Sequence, residues 1–484
     1  MSRDILFIIS DQHSYKLQGY AGNKIVRTPT LDRLAAVGTV MSDCYAACPL
    51  CVPSRLSMLA GQFPSELKAL TNEASLDSST ATFVHSLNAC GYETTLCGRM
   101  HFIGPDQRHG FMNRLAGDIT PTVFGSGWKK EGIDALPWNR GRIEHTAIQC
   151  IGGGESTVLE FDRDVTEAAV SYLEKDHEDP QFLCVGMYAP HFPYIAPKEL
   201  FDYYHDKVEL PEASYEAEEH PVLHGKLRDT DPETVRAAMA AYYGMTEFMD
   251  ANVGKIVSAW EKYLIRAGRE GVVIYVSDHG DSNGEHGFYG KNTFFDPSVH
   301  VPMIFAGNGI PAGREITSPV SLLDLSPTLC EMTGAPVPPG QDGESLMGLI
   351  EGDEQNGDRI VLSELSHRFG AKSIGRMAKW KQYKYITFSG FEGADQLFDM
   401  EADPYETKNL INTYPEISEK LSAYMRSKLK DPETVLSEID VLKENLAIIS
   451  KCRQEAKEEW QAREGLAQEA PTPMVATKVK VSFR

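Results

Sequence analysis

Two apolar runs in this chain each end in an acid. Asp4-Ile-Leu-Phe-Ile-Ile-Ser10 is followed by Asp11-Gln12, and Gly271-Val-Val-Ile-Tyr-Val-Ser277 by Asp278-His279-Gly280. In open α/β sheets, ligands bind at the carboxyl ends of the strands. Two carboxylates, an amide oxygen and an imidazole delivered to one edge could hold a single divalent cation. An oxygen-rich set favours Ca²⁺ or Mg²⁺, and the imidazole keeps Mn²⁺ in play. Each pair by itself is compatible with a plain strand-end turn, the first more readily than the second.

A thiol is the next candidate. Cys51 lies in Cys48-Pro49-Leu50-Cys51-Val52-Pro53-Ser54-Arg55. The C-x-x-C spacing could serve a redox pair or half of a zinc site, although no second C-x-x-C completes a four-cysteine centre. Ordinary buried cysteines also fit. A redox pair does not require Pro53-Ser54-Arg55. Pro53 suits the first turn of a helix, which would set Cys51 near the positive end of the helix dipole.

A lone histidine is more often structural than catalytic, so position decides. His101, in Gly98-Arg99-Met100-His101, and His191, in Pro190-His191-Phe192-Pro193, each follow an apolar strand and project from the same edge as Asp11 and Asp278. Lys291 follows Asp278 by 13 residues, near enough to fold back over that edge. His286 is a weaker candidate for the rim. His13, His85, His109, His300 and His367 read as structural.

The elements that must position these groups alternate along the chain. Strands are expected at 4–10, 93–97, 181–188, 271–277 and 301–306, with helices at 31–37, 83–89 and 164–173 and a long helix opened by Asp231-Pro232-Glu233. Such alternation predicts an α/β fold: a mostly parallel sheet sandwiched by helices. From about Arg359 the texture changes to short strands at 360–365, 373–378, 383–388 and 396–399, which predicts a smaller C-terminal antiparallel sheet. The expected division is a catalytic α/β domain over 1–358, the small sheet subdomain over 359–412, and a helical extension with tail over 413–484. The alternating tail from Val475 to Phe483 could add as an edge strand, to its own sheet or to another subunit in a homo-oligomer, or remain a mobile tail.

Bulk composition narrows the partners. With 47 Lys and Arg against 69 Asp and Glu, the net charge of −22 repels nucleic acid, though a local basic pocket could still take a small anion. No apolar run reaches the roughly 20 residues of a membrane span, and the amino terminus shows no signal-peptide pattern. Nine scattered cysteines suit a reducing compartment. The expectation is a cytoplasmic protein.

Taken together, these segments resemble type I sulfatases of the alkaline phosphatase superfamily, from Asp4 to about Leu410. Cys51-Val52-Pro53-Ser54-Arg55 with Leu59-Ala60-Gly61 is similar to that family's maturation signature. Gly98-Arg99-Met100-His101 resembles its G-K-x-H, Pro190-His191-Phe192-Pro193 its P-H-x-P, and Gly290-Lys291-Asn292-Thr293-Phe294-Phe295 its G-K-x-x-x-[YF] segment. Leu397-Phe398-Asp399-Met400 and Asp403-Pro404-Tyr405-Glu406 resemble its closing motif. Residues 100–111 are closest to the choline-sulfatase branch. Asn72, 21 positions after Cys51, falls where that branch and the phosphonate monoester hydrolases carry a substrate-contacting asparagine.

The resemblance implies an alkaline-phosphatase-like fold and hydrolysis of a small sulfate ester. Cys51 would be oxidised by a maturation enzyme to formylglycine, whose hydrate attacks sulfur. The covalent intermediate then eliminates sulfate as the aldehyde re-forms, a route closed to serine. One divalent cation, Ca²⁺ before Mg²⁺ or Mn²⁺, would be held by Asp11, Gln12, residue 51, Asp278 and His279. Arg55 would steady the nucleophile, Arg99, Lys291 and Asn72 would bind substrate, and His101 or His191 would protonate the departing alcohol. Two positions depart from the common pattern: Gln12 replaces an aspartate, as in choline-sulfatase-like members, and Arg99 replaces a lysine. A phosphodiesterase or phosphonate monoester hydrolase on the same fold is the alternative, and an unmodified anion-binding protein a third reading.

Overall fold

A computed structural model of the chain describes residues 3–120, 150–226, 228–352, 357–367 and 372–449 and the backbone of 475–478. Alternate residues of the strand Asp4–Asp11 enter two different apolar cores. Ile5, Phe7 and Ile9 pack with the helices Cys51–Ala60, Phe83–Ala89 and Leu325–Thr333. Leu6 and Ile8 pack with Pro29–Val37, Thr157–Leu173 and Pro232–Ala267. A strand apolar at every position is what a sheet covered on both faces demands.

The central sheet has eight strands, in the order Arg314–Ile316, Gly38–Met41, Met303–Gly307, Gly271–Ser277, Asp4–Asp11, Gln181–Pro190, Glu93–Gly98 and Asn113–Arg114. Strand Met303–Gly307 runs antiparallel to both neighbours; the other pairings are parallel. This is the mostly parallel, doubly covered sheet expected from the alternation. The four consecutive strands from Gly271–Ser277 to Glu93–Gly98 therefore end on one edge, with Ser10 opposite Ser277 and Gly98 opposite Gly186. The strand Gly38–Met41 was not foreseen. Its residues follow a helix directly, and Gly38 reads as a helix stop.

The expected small sheet is present: Ile360–His367, Ser373–Trp380, Tyr383–Phe388 and Gln396–Asp399 form an antiparallel meander. Lys384 ties it to the main body. This fully buried ammonium lies 2.6 Å from Asp296 and 2.5 Å from Glu406. Helices Pro415–Lys428 and Pro432–Ile449 follow. The tail segment Val475–Lys478 pairs antiparallel with Gly152–Glu155 of the same chain, and the rest of the expected tail strand lies outside the described residues. Among the described residues, no helix is long and apolar enough to cross a membrane.

Candidate active site

Four strand ends and one buried helix build the site. Asp11 closes its own strand, and Asp278, Arg99 and His191 follow the ends of the three neighbouring strands. The helix Cys51–Ala60 is buried at all ten positions and opens with Cys51. Ser54 Oγ donates to the Asp278 carbonyl at 2.5 Å, which pins the helix start against the sheet edge. As a result, one ligand atom from each of Asp11, Cys51, Asp278 and His279 lies within 4.8 Å of the others, although 267 positions separate Asp11 from Asp278.

Arg55 reaches across this cluster. Its Nε donates to Asp278 at 2.7 Å and its terminal nitrogens to Asp11 at 3.2 Å and to the Arg99 carbonyl at 3.1 Å. Its hydrogen bonds thus go to the two carboxylates and to a backbone carbonyl. Burial pushes the Asp11 carboxyl up, but the charges of Arg99, Arg55 and Lys291 outweigh it and hold the group well below the ordinary carboxylate range. Asp11 is thus an anion kept dry by cations.

His279 is oriented for ligation. Its Nδ1 donates to the Gly280 carbonyl at 3.0 Å, so the lone pair sits on Nε2, which lies 3.1 Å from Cys51 Sγ and 3.6 Å from Asp11. Burial lowers its pKa to about 4, which keeps the ring neutral and able to bind a metal. Two fixed carboxylates with this lone pair among them fit a divalent cation. Gln12 adds an oxygen nearby: Lys291 Nζ donates to Gln12 Oε1 at 2.7 Å, to Cys51 Sγ at 3.0 Å and to His191 Nε2 at 2.6 Å.

His191 Nδ1 donates to the Phe192 carbonyl at 2.7 Å. Its Nε2 therefore accepts from Lys291. Burial and the Lys291 charge lower the imidazole pKa well below its ordinary value. Asn72 is half-buried, with Oδ1 accepting from Val52 N–H at 3.1 Å, so the NH₂ end is the one left to face a ligand.

Arg99 is 1% exposed and engaged by the protein itself. Nε bonds Asp11; one terminal nitrogen donates to Asp118 at 3.2 Å and Thr120 at 2.9 Å, and the other to His101 Nδ1 at 2.9 Å. A guanidinium can only donate. His101 Nδ1 is therefore the acceptor, and its proton sits on Nε2. Burial and the Arg99 charge lower the His101 pKa. A planar fork can serve Asp11, Asp118 and His101 together; an ammonium is a point charge.

Two residues essential to this geometry went unnoticed in the sequence. Asp118 accepts from Arg99, from the His101 backbone N–H at 2.9 Å and from Thr120, and nothing in its flanks marks it. Asp281 accepts from Gln12 Nε2 at 2.5 Å and from Gly290 N–H at 2.8 Å. Its place three residues after Asp278, just past a strand end, was the available signal.

The other histidines lie elsewhere. His286 is buried with its ring stacked on Phe295 at 3.8 Å. His85 caps a helix with Thr82, His300 meets Asp296, and His13 Nε2 donates to the Leu17 carbonyl at 2.9 Å. Burial lowers the His13 pKa to about 4. The unfolded chain therefore binds the proton near pH 6.5 and the folded chain only near pH 4. Stability is intact above the first value and falls as pH drops through that window. At pH 5 the loss from His13 alone should be about 2 kcal/mol. Thermal melts should show a lower midpoint at pH 5 than at pH 7, with a His13→Asn variant less sensitive.

Similarity to known proteins follows the same lines. Residues 3–335 match the family described as Sulfatase, and residues 284–434 match N-sulphoglucosamine sulphohydrolase, C-terminal. The chain is 33% identical over 431 residues to choline-sulfatase of Rhizobium meliloti (strain 1021), covering 84% of this chain and 82% of that protein. It is 27% identical over 469 residues to arylsulfatase K of Homo sapiens, covering 90% and 83%. Among solved structures, the phosphonate monoester hydrolase of Agrobacterium radiobacter superposes with a TM-score of 0.70 at 23% identity, covering 88% of this chain and 95% of that one.

Proposed function

Because this chain belongs to the sulfatase family, we propose that it hydrolyses a small sulfate monoester to an alcohol and sulfate, using formylglycine formed from Cys51. The observation that carries this reading is the seat of Cys51 Sγ, 3.0 Å from Lys291 Nζ and 3.1 Å from His279 Nε2 at the start of a buried helix. Hydrated formylglycine there supplies a nucleophile and an exit for sulfate that no encoded side chain offers. Asp11, Gln12, Asp278 and His279 would hold one divalent cation, Ca²⁺ by the oxygen-rich set, which supplies positive charge to the sulfuryl oxygens and acidifies the attacking hydroxyl.

The chain's own groups do the rest. Lys291 meets the anionic ester with preorganised charge. The proton for the leaving alcohol comes from the Lys291–His191 pair, in which the ammonium holds it and the neutral imidazole accepts from Nζ. His101, its tautomer set by Arg99, offers Nε2–H to the ester. Asn72 offers its NH₂ end. Arg55 bridges the two carboxylates and holds them in place.

Mass spectrometry of the tryptic peptide Leu34–Arg55 from native-host protein should show an aldehyde at residue 51. Choline sulfate, an aryl sulfate and a sulfated sugar should then be assayed beside a phosphate diester and a phosphonate monoester. Faster turnover of a sulfate supports the reading. An unmodified thiol throughout, or a preference for the phosphorus esters, would sink it. Chelation should lower turnover by about 100-fold or more, with recovery on adding Ca²⁺.

A further inference from the structure

An amide at position 12 can offer a cation its oxygen only one way round, and two neighbours decide which. At one end Lys291 Nζ, which can only donate, lies 2.7 Å from Gln12 Oε1. At the other, Gln12 Nε2 donates to Asp281 Oδ2 at 2.5 Å. Asp281 is 1% exposed and ringed by donors. Its Oδ1 accepts from the backbone N–H groups of Asn283 and Gly290, each at 2.8 Å, and the Tyr194 hydroxyl lies 2.9 and 2.8 Å from its two oxygens.

We propose that Asp281 is a positioning residue that sets the polarity of Gln12. By taking the NH₂ end, it turns the carbonyl oxygen toward Lys291 Nζ and the thiol that this nitrogen also touches. The same carboxylate anchors Gly290, the residue before Lys291, so it registers both groups on one buried anion. A carboxylate at position 12 would need no such device, because either of its ends is an oxygen. A neutral amide does need one. This inference rests on the reading of the cluster as a cation site.

The geometry makes an isosteric substitution informative. In Asp281→Asn the new NH₂ cannot occupy the Oδ1 position, where two backbone N–H groups converge. It must take the Oδ2 position and face Gln12 Nε2, donor against donor. The Gln12 amide then meets a donor at each end, Lys291 Nζ and the new NH₂, so whichever way it turns one pair of donors is left face to face and its oxygen is no longer held toward the cluster. Gln12→Glu repairs this, since a carboxylate accepts from the new amide at position 281 and still presents an oxygen inward. In the wild-type background Gln12→Glu instead sets two buried carboxylates face to face.

The test is Ca²⁺ binding to the full chain by titration calorimetry after chelation. Asp281→Asn should weaken binding by about 10- to 100-fold, and adding Gln12→Glu should return it to within about threefold of wild type. Unchanged binding in Asp281→Asn, or a double variant that binds no better than Asp281→Asn, overturns the inference. Asp278→Asn separates the underlying reading: if it binds Ca²⁺ as wild type does, the cation site itself fails and the inference with it. Should Asp281→Asn be poorly folded, thermal melts carry the test. Gln12→Glu is expected to lower the midpoint alone and to raise it, or recover folded protein, in the Asp281→Asn background. The same sign in both backgrounds overturns the proposal.

Discussion

Replacing Cys51 by alanine will leave a folded protein whose sulfatase turnover is reduced at least about 10⁴-fold. The expectation follows from how little else at the site could replace the lost group. His279 Nε2 and Lys291 Nζ each lie about 3 Å from Sγ, but both are tied to other partners, the first through the Gly280 carbonyl at Nδ1 and the second through Gln12 and His191. Two hydroxyls of the surrounding network are already committed. Ser54 Oγ donates to the Asp278 carbonyl, and Thr120 is bound to Asp118 and Arg99. Alanine suits a helix start and removes one buried atom, so the melting midpoint should move by only a few degrees. Turnover above a hundredth of wild type, in protein shown to be folded, would mean that residue 51 is not the nucleophile.

The second large effect is on stability. Arg55→Ala should destabilise the metal-free protein by about 3–5 kcal/mol, because it strands two buried carboxylates. Asp11, Asp278 and Arg55 are each fully buried, and the guanidinium bonds both acids. Arg99 still faces Asp11, whereas among the described residues Asp278 keeps the backbone N–H groups of Gln12 and His279 and the neutral His279 ring, with no other cation bonded to it. A divalent cation would restore part of the missing charge. Saturating Ca²⁺ should therefore raise the melting midpoint of Arg55→Ala by more than it raises that of wild type. A loss below about 1 kcal/mol, or equal shifts with Ca²⁺, would contradict the charge balance described for this site.

Much of the fold was legible because strand runs such as Ile5–Ile9 and Val272–Val276 are apolar at every position and alternate with helix signals. What such runs do not carry is direction. Met303–Gly307 pairs antiparallel on both sides, yet its residues Met-Ile-Phe-Ala-Gly pack as well either way. The site was legible to the extent that strand ends share an edge. Asp11, Asp278, His191 and Arg99 all emerged there, and Cys51 met them through a helix whose Pro53 had marked its first turn. Asp118 and Asp281 were not legible, since an acid in a loop looks like solvated charge until its donors are known.

Residue order alone determined which chemical groups exist and which edge of the sheet receives them, since parallel strands must end on the same side. Only the tertiary structure decided which atom meets which. It set Arg99 against Asp11, Asp118 and His101, fixed the ring tautomers of His101, His191 and His279, and set the Gln12 amide against Asp281. The physical reason is range. Hydrophobic periodicity locates a backbone segment to within a residue or so, whereas donor and acceptor identity is settled over about 3 Å by side chains that are hundreds of positions apart in the chain.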